Sequence, residues 1–131
     1  MRPSKCAAGS RRRNTGPAND TVITVLIRAR RCCEVCGDPL KGERGVGWSI
    51  QHRRGRDGER TDNRVMNLLV VCGGDNVTGC QGRIHSRRSE SEPAGWWISR
   101  IPMLGGDKPD PATIPVTIDN GARVVYLTEA G

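Results

Sequence analysis

The chain has 131 residues, enough for one small domain with tails. It has no Phe and one Tyr against 17 Gly and 8 Pro, which excludes a broad aromatic core and gives much of the length to loops. The net charge is +7, and the excess is local: residues 1–31 hold eight Arg or Lys and one acid, Asp20, whereas acids and bases balance in the remainder.

Residues 1–19, MRPSKCAAGSRRRNTGPAN, lack apolar periodicity and read as a disordered basic arm. A basic arm on a neutral body suits contact with phosphate backbones, a solubilising tail being the other reading. The arm is too polar for a signal peptide, and no segment reads as a membrane span, so a cytoplasmic location is expected. In TVITVLIRARR, Thr21–Arg31, the residues Val22, Val25, Leu26 and Ala29 share one helical face and the charges come late. A helix capped by Asn19 or Asp20 is predicted, although the β-branched content also permits a strand.

CCEVCGDPL follows, a tight turn that aims two sulfurs at one point. GVGWSIQH reads as a short strand with Trp48 and Ile50 on one side, residues 53–64 as a polar loop, and VMNLLVVC as a second strand. GGDNVTG is a glycine-rich turn ending at Cys80, and CQGRIHSRRSES a short helix broken by Pro93. Trp96 and Trp97 read as core or edge packing. Residues 102–112 are a Pro/Gly-rich linker, and TIPVTI-DNG-ARVVYLT is a β-hairpin.

A domain this poor in large apolar residues calls for a staple, and six cysteines are present. In a cytosolic chain they are expected to bind metal rather than pair. Cys33-x-x-Cys36 pairs with Cys72 and Cys80, whose seven-residue separation is wide for a knuckle but holds three glycines. Four thiolates in a tetrahedron would bind structural Zn²⁺ and tie the front of the chain to its middle. Cys6 and Cys32 are left over, and adjacent cysteines cannot be ranked by spacing alone; Cys33 is preferred to Cys32 because it completes the CxxC.

His52 closes the first strand and Asn67 opens the second, while Gln81 and His85 are four apart and share one helical face. With CEVCG, SIQHRR, NLLVVCG and TGCQGRIHSRR in this order, residues 21–100 resemble the HNH endonucleases, the ββα-metal or His-Me finger nucleases, and most of all the small zinc-stapled versions encoded by bacteriophages. The resemblance implies a small α+β fold: a ββα-metal finger stapled by a Cys₄ zinc site, with an N-terminal helix and a C-terminal β-hairpin. It divides the chain into the arm 1–19, a nuclease domain 20–100, and linker and hairpin 101–131.

The resemblance also implies a DNA endonuclease that hydrolyses phosphodiester bonds. His52 would be the general base, Asn67 would brace the loop, and His85, Gln51 and Gln81 would hold a divalent cation that stabilises the leaving 3′-oxygen. Glutamines stand at 51 and 81 where the family has better ligands, which favours a hard cation such as Mg²⁺, or Mn²⁺, and reduced activity. Arg53, Arg54, Arg56, Arg87 and Arg88 are the expected phosphate contacts, with a solvated polar face as the bland reading. His85 could instead serve the zinc site if a cysteine drops out. DNA is the expected partner, phage terminase or packaging proteins are further candidates, and a catalytically weakened nucleic-acid-binding or packaging accessory protein is the alternative.

Overall fold

The computed structural model describes residues 16–56, 60–99 and 109–129. Most of the basic arm, Cys6 and most of the linker lie outside the described residues. The architecture is small α+β: helices α1 (Asn19–Arg28), α2 (Gly79–Ser86) and the single turn α3 (Arg88–Ser91), with two antiparallel two-stranded sheets. Strand β1 (Trp48–His52) pairs with β2 (Leu68–Cys72), and β3 (Val116–Ile118) with β4 (Arg123–Val125).

Strand β2 organises the core through its two-residue period. Leu68 and Val70 face α1, where Val22, Val25 and Leu26 cover them. Leu69 and Val71 face the other way, onto Ile84 of α2, Trp96, Val116 and Leu127. All four β2 side chains are fully buried, each worth about 1.5–3 kcal/mol relative to exposure. Since β1 runs opposite with Gln51 beside Leu69, Gln51 points to the α2 side of the sheet.

Helix α1 forms on the expected face, but its ends differ from expectation. The residue before its first turn is Ala18, which has no capping side chain, and Asn19 is already helical. The helix stops at Arg28 because Arg30 and Arg31 both take left-handed backbone (φ 56°), letting their amides reach back to Ile27 and Leu26. Arg28 turns inward. Its guanidinium forms two bonds with Glu34 (2.9 and 2.7 Å) and donates to the carbonyls of Val65 and Leu68. Glu34 in turn accepts from the Val70 amide, so this buried pair joins α1 to β2.

The helix after Cys80 ends earlier than its proline requires. The break is at Arg87 (φ −125°, ψ 70°), and Pro93 lies beyond the following turn. The hydroxyl of buried Ser91 lies within donating distance of the Ile84 carbonyl (3.0 Å), left open by the break, and of the Arg87 carbonyl (2.8 Å). The hairpin forms as expected around Asp119-Asn120-Gly121, all three with positive φ. The hairpin adds to the same core: Val116 of β3 and Leu127, just beyond β4, join Cys33, Ile84 and Trp96.

Candidate functional site

The Sγ atoms of Cys33, Cys36, Cys72 and Cys80 all lie within 4.8 Å of one another. The edge of a ZnS₄ tetrahedron with 2.3 Å bonds is about 3.8 Å, and Cys36 and Cys72 are 3.9 Å apart. These four residues could therefore hold a metal such as zinc. Cys32 is excluded from the cluster, since its thiol turns to the Arg30 carbonyl.

Two backbone amides point at sulfur: that of Cys36 at Cys33 (3.5 Å) and that of Cys80 at Cys72 (3.4 Å). The wide knuckle closes because of glycine. Gly73 (φ +96°) sits so close to Thr78 that a Cβ would lie 2.1 Å from its carbonyl oxygen, and Gly79 (φ +58°) lies against the Cys72 carbonyl in the same way. Without a cation, Cys33, Cys36 and Cys80 share protons unevenly. The bond with Cys80 holds Cys33 down at about 5, while burial pushes Cys36 up to about 11 and the Cys33 bond and burial raise Cys80. A dication would remove this competition by favouring every thiolate.

On the α2 face of the sheet, a cleft of about 360 Å³ brings together Gln51, His52, Arg56, Gln81, His85 and Trp97. His85 Nε2 lies 3.1 Å from Gln51 Oε1 and 3.3 Å from Gln81 Nε2. One imidazole nitrogen cannot donate to the first and accept from the second. Beside it, Gln81 Oε1 is the buried side-chain oxygen or nitrogen that has no hydrogen-bond partner among the described residues. Turning the Gln81 amide would aim this oxygen at the same point. The three side chains converge on a spot that their own hydrogen bonds satisfy only in part.

His52 is buried, and its Nε2 lies 2.7 Å from Asn63 Oδ1. Burial lowers its pKa from the usual imidazole value, as do Arg56 and Arg44, against the Asn63 bond and Asp62. His85 is lowered by burial and by Arg88. Both imidazoles are therefore neutral near pH 7. Asn67 is fully buried; its side chain accepts from the Arg54 amide (2.9 Å) and donates to the Asp62 carbonyl (2.7 Å), pinning the two ends of the loop between β1 and β2.

The arginines divide. Arg53, expected at phosphate, is fully buried, and its guanidinium donates to the carbonyls of Gly95, Met66, Pro111 and Ile114. It has no face for DNA, because all its donors are turned inward onto these four backbone carbonyls. Arg54 is half-buried and 3.4 Å from Asp62. Arg56, Arg87 and Arg88 are exposed. Arg56 lines the cleft, and Arg88 stacks 3.8 Å above Trp97, whose ring meets His85 edge-on at 5.5 Å.

Compared with protein-family models, curated proteins and solved structures, the chain matches none.

Asn63, Asp62 and Trp97 are site residues that sequence reasoning missed. Asn63 and Asp62 sit in TDNR, whose composition signals only a polar loop, and Trp97 was read as packing. A second cavity, of about 450 Å³, opens between the end of α1 and the hairpin. Its charges are largely satisfied, Arg28 by Glu34 and Arg123 by Asp119, so the chemistry concentrates in the smaller cleft. Among the described residues no helix is long and apolar enough to cross a membrane.

Proposed function

We propose that the chain is a metal-dependent DNA endonuclease of the HNH class, a ββα-metal finger stapled by Zn²⁺ on Cys33, Cys36, Cys72 and Cys80. The observation that carries this reading is the shared cleft: a buried neutral imidazole, His52, beside three converging side chains, Gln51, Gln81 and His85, one with an orphaned oxygen. Adjacent ligands on an octahedral ion with bonds of ~2.1 Å stand roughly 3.0 Å apart, close to the 3.1 Å between Gln51 Oε1 and His85 Nε2. A small hard cation such as Mg²⁺ or Mn²⁺ fits one imidazole and two amide oxygens, and when bound it would stabilise charge on a leaving 3′-oxygen. His52 would take a proton from the attacking water. Arg56 and Arg88 at the cleft would contact the DNA backbone.

A plasmid-nicking assay across divalent metals tests this. Nicking should appear with Mg²⁺ or Mn²⁺, and His52→Ala should lower it by about 10²–10⁴-fold with the fold intact. Equal trace cleavage by both proteins would overturn the reading.

The amides at 51 and 81 favour a second reading, a DNA-binding protein of this fold with little or no catalysis. Gln51→His combined with Gln81→His separates the two. A large gain of nicking from a silent parent supports the binding protein.

A further inference from the structure

Asn63 stands in the loop between β1 and β2, and its Oδ1 is the hydrogen-bond partner of the His52 ring, at 2.7 Å from Nε2. We propose that Asn63 is a positioning residue that fixes His52 as the Nε2–H tautomer, so that Nδ1 carries the lone pair facing the cleft. This rests on the nuclease reading for its consequence, but not for its geometry.

A carbonyl oxygen only accepts, so Nε2 must carry the proton and Nδ1 must be bare. His52 lines the cleft, and with Nε2 turned to Asn63, Nδ1 is the ring nitrogen left for it. The opposite amide orientation would donate to Nε2, put the ring proton on Nδ1 and turn a donor toward the water, leaving no base.

The loop is built to hold Asn63 still. On one side, the Asp62 carbonyl accepts from Asn67 Nδ2, and the Asp62 carboxylate accepts from the Arg64 amide, Nε and Nη2. On the other side, the Arg64 carbonyl accepts from the Asn67 amide. Asn67 therefore acts on the base at one remove: it clamps both neighbours of the residue that touches the ring. Arg56, Arg44 and Asp62 are the charged groups acting on His52, and none of them bonds its ring.

The test is histidine ¹⁵N NMR on the zinc-loaded full chain at pH 7.5, with His52→Gln used to assign the signals. Wild type should show the Nε2–H tautomer at His52. Asn63→Leu should lose that preference and lower kcat/KM by about 10–100-fold, the range for a lost outer orienting partner. Asn63→Asp keeps an acceptor oxygen. It should keep the tautomer and hold kcat/KM closer to wild type than Asn63→Leu does. A wild-type His52 protonated at Nδ1, or an unchanged tautomer in Asn63→Leu, would overturn the proposal. If no variant cleaves DNA, the NMR result still decides the tautomer, and only the nuclease reading falls.

Discussion

At the scale of single residues, Arg53 and His52 show what a sequence can and cannot carry. In HRRGR the three arginines look alike, yet one is wholly interior and one lines the cleft. What separates them is which carbonyls lie nearby, and those belong to residues 13 to 61 positions further along the chain. Removing the Arg53 side chain strands several buried carbonyls at about 1–3 kcal/mol each. Arg53→Ala should therefore lower stability by roughly 3–5 kcal/mol, read as the urea midpoint, whereas Arg56→Ala should change it by less than about 0.5 kcal/mol. A small effect at Arg53 would mean that its four bonds are not made. For His52 the sequence marks a place at the end of a strand, which the structure shows as the end of β1, while its role as a base comes only from the resemblance. Its protonation follows from burial, which sequence does not show. With its pKa lowered from the usual imidazole value of 6.5, mainly by burial, His52 charges only below that value. The acid limb of kcat/KM should lie below pH 6.5, and a limb at pH 7 or above would contradict the buried ring. In the same window the unfolded chain binds the proton more readily, so stability falls as pH drops from 6.5 toward the folded value.

At the scale of elements, existence was readable and ends were not. The helical stripe Val22, Val25, Leu26 is buried as its period requires, and the hairpin forms where Asp-Asn-Gly placed it. The end of α1 is set by two arginines in left-handed backbone, which no residue type announces. The break before α3 at Arg87 is held by Ser91, and Pro93 merely follows it. The knuckle from Cys72 to Cys80 makes a prediction of its own. Its glycines were visible, and the structure gives them separate jobs: Gly73 lets the chain pass within contact of Thr78, while a Cβ on Gly121 in the hairpin turn meets nothing within 4 Å. Gly73→Ala should push Cys72 and Cys80 apart, speed zinc transfer to a chromogenic chelator by at least about tenfold and lower the melting temperature. Gly121→Ala, at φ +89°, carries backbone strain alone, of order 1 kcal/mol, and should leave zinc transfer unchanged. Equal transfer rates in the two variants would show that the close approach at Gly73 does not shape the knuckle.

At the scale of the whole molecule, the need for a staple could be read from composition and the α+β class from the resemblance, but the sharing of one core could not. The hairpin looked separable after a Pro/Gly-rich stretch, yet Val116 and Leu127 lie against Cys33. The charge also redistributes, since Arg28 is consumed by Glu34 inside the fold and is lost to the basic end of the chain. Because the cysteine cluster sits in contact with Ile84, Trp96 and both sheets, metal binding and folding should be one event. Structural zinc sites are worth up to about 10–16 kcal/mol in small peptides, comparable to or larger than the whole stability of a domain. Stripping the metal with a chelator should therefore collapse the thermal transition and expose Trp96, seen as a red shift of tryptophan emission. Restoring Zn²⁺ should bring both back. Mg²⁺ should restore neither, because a hard cation binds thiolates poorly. Cys33→Ser should cost zinc and fold together, while Cys32→Ser should keep a single zinc ion per chain. Retention of zinc in Cys33→Ser, or its loss in Cys32→Ser, would place the metal on a different set of sulfurs.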